Sequence, residues 1–317
     1  MKIVITDCDH DDIAQEREVA ARHGVDLDLA QCRSEDDVIA AAADADGIVV
    51  QYAPVTARVL DALPKLRAIG RYGVGVDTID IAAATTRRVA VCNVPDYGTE
   101  DVSDHAIALA LSLVRGVTEL DRGMRAGVHQ LTAIKPLHRM SELTFGVVGV
   151  GRIGAATARK AAALGFTVLG HDPRPEATRD GIETMGFDEL LARADVVSLH
   201  VPLEERTTHL IDDAALAKTK RGAMLVNTCR GGVVDTAALV RALSAGQLAA
   251  AALDVFEEEP LPATSPLFAL PSVTLTPHAA WYSQESEAEL KRRTIENVVE
   301  FCAGRTPRNL LNMEVLG

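Results

Sequence analysis

The chain has 317 residues, of which 48% are hydrophobic and only 3% are aromatic. This length exceeds one ordinary hydrophobic core, so we expect two domains with mainly aliphatic interiors. The 32 basic and 45 acidic residues leave a net charge of −13, which argues against a nucleic acid or an anionic membrane surface as a partner.

The compartment is predicted from the N-terminus, the apolar runs and the cysteines. The N-terminus lacks the apolar core of a signal peptide, and no apolar run approaches the ~20 residues that a membrane span needs. The five cysteines (Cys8, Cys32, Cys92, Cys229 and Cys302) are scattered without metal-ligand spacing. We therefore expect a cytoplasmic protein with reduced thiols and no metal site.

Strand and helix patterns alternate through the first 95 residues. Strands are predicted at Lys2–Thr6, Val25–Ala30, Gly47–Gln51, Leu66–Arg71 and Val89–Val94, and helices at Asp12–His23, Ser34–Ala43, Thr56–Leu63 and Ile79–Arg87. Alternation of this kind is typical of right-handed βαβ units and a parallel sheet. The sequence therefore predicts a small α/β domain here.

A domain crossing is predicted at Pro95–Gly98, followed by one long helix that begins at Thr99 or Glu100 and runs through about Arg125. Residues 106–114 are apolar nearly all round, so we expect this helix to be buried between layers. A second α/β series begins at Leu143, with strands predicted at 195–201, 223–229, 250–255 and 273–276.

The last predicted helix, about 284–302, returns to the first domain. We thus expect residues 1–96 and 286–317 to form one α/β domain, with residues 97–285 forming a second one inserted into it. Ligands of doubly wound sheets bind at the carboxyl ends of the strands, which predicts a site in the cleft between the two halves.

Residues 145–172 combine a strand, a glycine-rich turn, a helix and a second strand. The turn reads G-x-G-x-x-G at Gly149, Gly151 and Gly154, and Asp172 ends the second strand. This context is typical of a dinucleotide site, in which the pyrophosphate lies at the helix N-terminus and the acid binds the ribose hydroxyls. The acid favours NAD over NADP, although Arg174 weakens that preference. The alternative is an ordinary glycine-rich βα turn.

Polar residues end three predicted strands of the second half, at Arg230, at Glu257–Glu259 and at His278. Arginine suits a carboxylate, and a histidine backed by a carboxylate makes an acid/base pair. Together with NAD, this set suits hydride exchange at the carbinol carbon of a 2-hydroxy acid. As alternatives, Arg230 could pair with Asp254, the acidic run could be a solvated turn, and His278 could be structural. Three further histidines are predicted to be structural: His105, His171 and His209.

The sequence resembles the D-isomer-specific 2-hydroxyacid dehydrogenase family along essentially its whole length. The motifs that carry the resemblance are Gly73–Asp77, Gly149–Gly154, His200–Leu203, Asn227–Gly232, Leu253–Pro260 and Thr276–His278. The resemblance implies a Rossmann-type NAD domain (97–285) inserted into a flavodoxin-like substrate domain (1–96 and 286–317), and NAD as cofactor. It also implies a homodimer formed through the NAD domain, using the long helix and the hairpin after Pro95.

The resemblance further implies roles for individual residues. Arg230 binds the substrate carboxylate and carbonyl, His278 is the acid/base, and Glu259, rather than its two neighbours, supports His278. The implied cofactor positions are Thr99, Gly149, Gly151, Arg152, Ile153, Gly154, Asp172, His200, Pro202, Thr207, Thr228, Cys229, Asp254, His278 and Ala280. Tyr72–Gly75 would offer backbone N–H groups to the carboxylate, and the implied substrate positions are Gln51, Arg71, Tyr72, Gly73, Val74, Gly75, Arg230 and Trp281.

The motifs leave the branch and the substrate open. Residues 92–95 and 277–283 are most similar to the C-terminal-binding-protein branch, whose corepressors suggest a non-catalytic NAD sensor as an alternative. A plain metabolic enzyme fits the charge and length better. A phosphate-free substrate such as glyoxylate, hydroxypyruvate or another small 2-keto acid is the first hypothesis, since Gln51 stands where phosphoglycerate dehydrogenases usually have arginine. Because Arg71 is present, 3-phosphoglycerate or a phosphonate-bearing hydroxy acid is the second.

Overall fold

The computed structural model describes residues 1–174 and 182–317, and these divide into two compact units. Unit 1 comprises residues 1–98 and 283–317, and unit 2 comprises residues 99–282. Unit 2 is therefore inserted in the chain between the two segments of unit 1. The predicted functional boundaries, 96/97 and 285/286, stay predictions.

Unit 1 is a five-stranded parallel sheet in the order β2-β1-β3-β4-β5, which is the flavodoxin-like order. Its elements are β1 (Lys2–Ile5), α1 (Ala14–His23), β2 (Asp26–Leu29), α2 (Glu35–Ala41), β3 (Gly47–Val50), α3 (Ala57–Ala62), β4 (Ala68–Arg71), α4 (Ile81–Thr86), β5 (Ala90–Cys92) and the last helix, which spans Gln284–Cys302. A Cβ at Gly47 or Gly70 would meet Val298 of that helix at 2.4 or 2.6 Å. These glycines therefore let the helix pack directly on the sheet.

Unit 2 has a seven-stranded parallel sheet in the order β12-β11-β10-β9-β6-β7-β8. Its elements are α5 (Thr99–Arg115), α6 (Val117–Arg125), β6 (Thr144–Val148), α7 (Arg152–Ala163), β7 (Thr167–His171), β8 (Glu183–Thr184), α8 (Phe187–Arg193), β9 (Val196–Leu199), α9 (Asp213–Lys218), β10 (Ala223–Asn227), α10 (Thr236–Ser244), β11 (Leu248–Leu253) and β12 (Val273–Leu275); the last helix of unit 1 is α11. Counted within the unit, the order is 3-2-1-4-5-6-7, a Rossmann arrangement with one added strand.

Alternate residues of the unit 2 strands face opposite sides of the sheet. Val197 and Leu225 belong to the core beneath α8, α9 and α10, whereas Val196 and Val226 belong to the core beneath α5 and α7. Because both faces are covered, the strands are apolar along their whole length, as the sequence pattern predicts.

The helix predicted from Thr99 through Arg125 is interrupted at Gly116, so the prediction of one continuous helix is wrong. Gly116 has φ +61° and separates α5 from α6, and a Cβ there would meet Ile134 at 2.7 Å. The expected burial holds for one face of α5, which includes Ala106, Leu109 and Leu113, but Ala108 in the same apolar run is exposed. Helical periodicity does not register a single left-handed residue, which is why the break was not predicted.

Within the described ranges, no helix is long and apolar enough to cross a membrane.

Candidate active site

Two glycines of the G-x-G-x-x-G turn are required by contacts within the protein. Gly149 has φ +91°, and a Cβ there would lie 2.4 Å from the carbonyl oxygen of His200. A Cβ at Gly154 would lie 1.9 Å from the carbonyl oxygen of Gly149. The first glycine thus closes the turn against the next strand, and the third lets α7 begin directly against that turn.

The middle glycine is not required by any contact within the described protein. Gly151 is the N-terminal cap of α7, and a Cβ there would meet nothing within 4 Å. The N–H groups of the first turn, at Arg152 and Ile153, begin a 12-residue helix whose positive dipole end favours an anion. The open space before α7 therefore fits a phosphate group that approaches the backbone closely.

Two hydroxyl groups of unit 2 are buried without a hydrogen-bond partner among the described residues. They belong to Thr99, at the start of α5, and to Thr228, just after β10. A buried hydroxyl normally has a partner, so both atoms fit contacts with a bound molecule. Both residues are predicted cofactor positions, and these unsatisfied groups are consistent with a dinucleotide in unit 2.

Asp172 follows β7, and its carboxylate is nearly fully buried. Its Oδ2 accepts from the Val150 N–H at 3.2 Å, and the Arg174 guanidinium donates to both oxygens at 3.0 and 3.1 Å. Burial alone would raise the pKa of Asp172, but the hydrogen bonds from Arg174 hold that pKa below its usual range. Asp172 is therefore an ionised acceptor at the turn, with Arg174 paired to it.

The loop after β9 carries three predicted cofactor residues. His200 lies 2.8 Å from the Ser198 hydroxyl, and burial lowers the pKa of its imidazole to about 4, so it is neutral near pH 7. The Thr207 hydroxyl donates to the carbonyl of Pro202 at 2.6 Å and accepts from the Glu204 N–H at 2.8 Å. These bonds give Thr207 a role in closing the loop, and a contact of the loop with cofactor stays a prediction.

Arg230 lies in a tight turn directly after β10. The Asn227 side chain donates to the Arg230 carbonyl at 2.9 Å and accepts from the Cys229 N–H at 3.1 Å. The next residue, Gly231, faces the backbone of Phe256, since a Cβ there would lie 1.8 Å from the Phe256 carbonyl carbon. The turn that carries Arg230 thus packs against the loop that follows β11.

That loop carries three consecutive glutamates, and the structure separates their contacts. Glu259 Oε2 lies 2.7 Å from His278 Nδ1, and its Oε1 accepts from the Phe256 N–H at 2.9 Å. Burial alone would raise the pKa of Glu259, but the hydrogen bond to His278 and the charge of Arg230 hold that pKa below its usual range. Glu257 instead contacts His209. The geometry therefore places Glu259, as predicted, beside the histidine.

His278 follows β12 and is held in a left-handed conformation, with φ +55°. Its N–H donates to the carbonyl of Asp254 at 2.7 Å. The fully buried Asp254 carboxylate accepts from the Thr276 hydroxyl and from the N–H groups of Ala279 and Ala280, each of these two at 2.9 Å. Asp254 therefore shapes the loop that presents His278, a role that its prediction as a cofactor position did not include.

The imidazole of His278 is about one-third exposed. Nδ1 contacts Glu259, and within residues 1–174 and 182–317 the other nitrogen, Nε2, has no hydrogen-bond partner. A carboxylate on one ring nitrogen orients the imidazole and leaves the second nitrogen to exchange a proton with another molecule. His105, predicted to be structural, lies 3.1 Å from the Thr276 hydroxyl beneath this loop.

Trp281 and Tyr282 follow the histidine loop, and their rings meet edge to face at 5.6 Å. Tyr282 is exposed and Ala280 is buried. The predicted contact of Trp281 with substrate, and that of Ala280 with cofactor, stay predictions. Across the described chain, no group of three or more His, Cys, Asp or Glu residues is arranged to hold a metal ion.

The predicted substrate residues of unit 1 lie after β3 and β4. The Tyr72 N–H donates to the Val50 carbonyl at 3.0 Å, so the prediction that Tyr72 offers its backbone to a substrate is wrong. The N–H groups of Gly73, Val74 and Gly75 have no acceptor within the described residues. Three successive N–H groups of this kind can bind an anion.

Gln51 and Arg71 end the two strands beside that loop. The Gln51 side chain donates to and accepts from Asp9, and its N–H donates to Asp7 at 3.2 Å. The Arg71 guanidinium lies against Gly73, where a Cβ would meet Nη1 at 1.8 Å. The polar groups of Gln51 are therefore engaged with acidic partners, and Arg71 lies directly on the glycine loop.

A Rossmann sheet, a dinucleotide-type glycine turn and a histidine–carboxylate pair beside an arginine define the class of nicotinamide-dependent dehydrogenases. The family model described as "D-isomer specific 2-hydroxyacid dehydrogenase, NAD binding domain" matches residues 107–280. The chain therefore belongs to the D-isomer specific 2-hydroxyacid dehydrogenase family. The predicted family, fold, cofactor NAD and oxidoreductase class are confirmed.

Individual relatives agree. The chain is 43% identical to a glyoxylate reductase of Korarchaeum cryptofilum over 273 residues, covering 83% of this chain and 81% of that one. It is 37% identical to a D-3-phosphoglycerate dehydrogenase of Archaeoglobus fulgidus over 296 residues, covering 92% of this chain but only 56% of the relative. A structure of D-lactate dehydrogenase from Aquifex aeolicus, complexed with NAD and lactic acid, matches with a TM-score of 0.87 at 29% identity, covering 98% of this chain and 99% of that one.

Proposed function

We propose that this dehydrogenase interconverts a small, unphosphorylated 2-keto acid and the corresponding D-2-hydroxy acid, with glyoxylate and hydroxypyruvate as the first candidates. The main support for the proposal is the His278–Glu259 pair, whose facing atoms are 2.7 Å apart and which lies near Arg230. These three residues follow the carboxyl ends of the neighbouring strands β12, β11 and β10, respectively. The relative from Korarchaeum cryptofilum, named as a glyoxylate reductase, supports this substrate class.

Each residue of the set has a distinct chemical task. Arg230 grips the carboxylate with its rigid fork of donors. His278 Nε2 gives a proton to the substrate oxygen when the keto acid is reduced, and removes it in the reverse direction. Glu259 fixes the ring through Nδ1 and stabilises its positive charge. When bound, the nicotinamide supplies or accepts the hydride at C2.

The glycine loop of unit 1, residues 73–75, is suited to a small carboxylate as ligand. We propose that the N–H groups of Gly73, Val74 and Gly75 bind the substrate carboxylate. The carboxylates of Asp7 and Asp9 lie beside Gln51 at the neighbouring strand ends. Negative charge at this edge disfavours a substrate that carries an additional phosphate.

A phosphorylated hydroxy acid is the second candidate, favoured by Arg71 on the glycine loop and by relatives named as D-3-phosphoglycerate dehydrogenases. Hydroxypyruvate and 3-phosphohydroxypyruvate form a matched pair that differs only in the phosphate. We expect kcat/KM, followed by NADH consumption, to be higher for hydroxypyruvate. A higher value for the phosphorylated compound would favour the second candidate.

The catalytic roles are tested by two substitutions. His278→Ala should lower kcat by a factor of about 10² to 10⁴ while the NADH dissociation constant stays within about threefold, because the imidazole acts on the proton rather than on the dinucleotide. Arg230→Lys should raise the KM for the keto acid, since the bidentate fork is lost. Turnover that survives in His278→Ala would contradict the acid/base role, whereas NADH binding with no keto acid consumed by the native enzyme would favour the non-catalytic sensor.

The branch of the family to which the chain belongs is inferred from its relatives. The chain is similar to proteins named as a glyoxylate reductase, a D-3-phosphoglycerate dehydrogenase and a D-lactate dehydrogenase. We infer that the chain groups with these metabolic enzymes, and that the similarity of residues 92–95 and 277–283 to the C-terminal-binding-protein branch does not extend to a corepressor role.

A homodimer through unit 2 is favoured by the exposed apolar face of α6 and the segment after it. Val117, Met124, Val128 and Leu131 are between 50 and 57% exposed, and α6 buries none of its residues. We expect light scattering to give twice the chain mass for the native protein and the single mass for Met124→Glu. Phe268→Glu, which changes an equally exposed apolar side chain elsewhere in unit 2, serves as the control.

A further inference from the structure

The orientation of Glu259 depends on the backbone of the residues before it. One carboxylate oxygen accepts from the Phe256 N–H at 2.9 Å, and the other lies 2.7 Å from His278 Nδ1. Since the first contact is to backbone, the position of the carboxylate depends on the backbone position of Phe256.

Glu257, the next residue, is held from two sides. Its Oε1 lies 2.6 Å from Nε2 of His209, and its Oε2 accepts from the Thr236 N–H at 2.9 Å, at the beginning of α10. Burial alone would raise the pKa of Glu257, but the bonds to Thr236 and His209 hold that pKa below its usual range. Glu257 is thus an ionised group held between a loop histidine and a helix N-terminus.

His209 is itself held against the arginine turn. It has φ +50°, which is unusual for a residue other than glycine, and its N–H donates to the Gly232 carbonyl at 2.8 Å. The adjoining Gly231 packs on Phe256. One connected arrangement therefore runs from His209 to Glu257, and through the Phe256 backbone to Glu259 and His278.

We propose that His209 and Glu257 are positioning residues for the reaction, which hold Glu259 in contact with His278; this proposal rests on the proposed acid/base role of His278. The His209 side chain is 46% exposed and that of Glu257 is 35% exposed. Exposed pairs of this kind contribute little to stability on average. If the pair had only a structural role, breaking it would leave catalysis unchanged. The contact geometry instead links this pair to the catalytic carboxylate.

A matched control exists in the same unit. Lys218 is also 46% exposed and lies 2.7 Å from the Asp188 carboxylate, in a pair formed between α9 and α8. His209→Ala and Lys218→Ala therefore break side-chain contacts to a carboxylate that are similar in length, 2.6 and 2.7 Å, and the two replaced side chains are equally exposed. We expect both variants to unfold within a few degrees of the native enzyme.

The kinetic expectation separates the two variants. His209→Ala should lower kcat about tenfold, with the KM for NADH and for the keto acid within twofold, since a misplaced catalytic group costs rate rather than binding. Lys218→Ala should be unchanged. His209→Gln, which keeps an N–H donor for Glu257, should recover most of the lost rate. Equal kcat values for His209→Ala and Lys218→Ala would overturn the proposal.

A double substitution tests whether His209 acts through Glu259. In a Glu259→Gln background the carboxylate is already lost, so His209→Ala should lower kcat by less than twofold further. A further tenfold loss would show that His209 acts by another route, and would overturn the proposal.

A measurement without turnover separates this proposal from the proposed function. In the enzyme without substrate, the NMR signal of the ring proton between His278 Nδ1 and Glu259 should be broadened or lost in Glu259→Gln and in His209→Ala, since the first removes the carboxylate and the second displaces it, but not in Lys218→Ala. A signal that is unchanged in His209→Ala would overturn the positioning role. The same loss of signal in an enzyme that reduces no keto acid would uphold the positioning role and reject the proposed function.

Discussion

The middle glycine of the nucleotide turn allows ligand binding to be separated from folding. Gly151 caps α7 with φ −69°, and Gly186 caps α8 with φ −61°; a Cβ at either would meet nothing within 4 Å. Gly151→Ala and Gly186→Ala therefore make the same chemical change at two similar helix starts. Each loses up to about 1 kcal/mol of capping preference and regains about 0.4–1 kcal/mol through a less flexible unfolded chain. The free energies of unfolding without cofactor should thus stay within about 1 kcal/mol of the native value.

Cofactor binding should respond to only one of these changes. The methyl group of Gly151→Ala enters the open space in front of the first turn of α7, where N–H groups meet the pyrophosphate. Each charge-assisted hydrogen bond lost costs about 1.5–3 kcal/mol, so loss of two weakens NADH binding by at least about 100-fold. Fluorescence titration with NADH measures this constant, and urea unfolding without cofactor measures stability.

Gly154→Ala gives the opposite pattern, because its Cβ would overlap the Gly149 carbonyl oxygen at 1.9 Å. It should lower the free energy of unfolding by about 1–3 kcal/mol or more even without cofactor. Native-like NADH affinity in Gly151→Ala, or an equal loss of affinity in Gly186→Ala, would refute the assignment of the open space to the pyrophosphate.

Three further predictions concern pH, coenzyme choice and loop packing. Burial lowers the pKa of His200 to about 4, against about 6.5 in the unfolded chain, so its contribution to stability is present above pH 6.5 and is lost as the pH falls toward 4. Urea unfolding should therefore give a free energy of unfolding about 2 kcal/mol lower at pH 5 than at pH 7.5. His200→Gln should not show this difference. Asp172→Asn should raise the NADPH:NADH ratio of kcat/KM about tenfold and Arg174→Ala should lower it, and unchanged ratios would contradict the coenzyme assignment. Gly231→Ala should lower both kcat and the melting temperature, measured by assay and calorimetry, because its Cβ would meet the Phe256 backbone.

Local patterns of the sequence were sufficient for the elements and the motifs. Strands such as β6 and β10 are short apolar runs, and the turn at Gly149–Gly154 requires glycine for reasons that lie within a few residues. The selection of Glu259 from three glutamates came from a family motif, and the geometry agrees with it. Element boundaries depended on single residues, so the break at Gly116 and the two-residue strand β8 were not predicted.

The sequence alone thus determined the α/β class, the insertion of one domain in another, the nucleotide turn and the candidate chemistry. The tertiary structure alone decided which polar groups are already engaged within the protein: the Tyr72 N–H is bonded to Val50, the Asp254 carboxylate holds the His278 loop, and Glu257 contacts His209. His209 and Glu257 are 48 positions apart in the chain. Periodicity and turn chemistry act between near neighbours, whereas such pairings arise only when strand ends are brought side by side by the packing of the whole sheet.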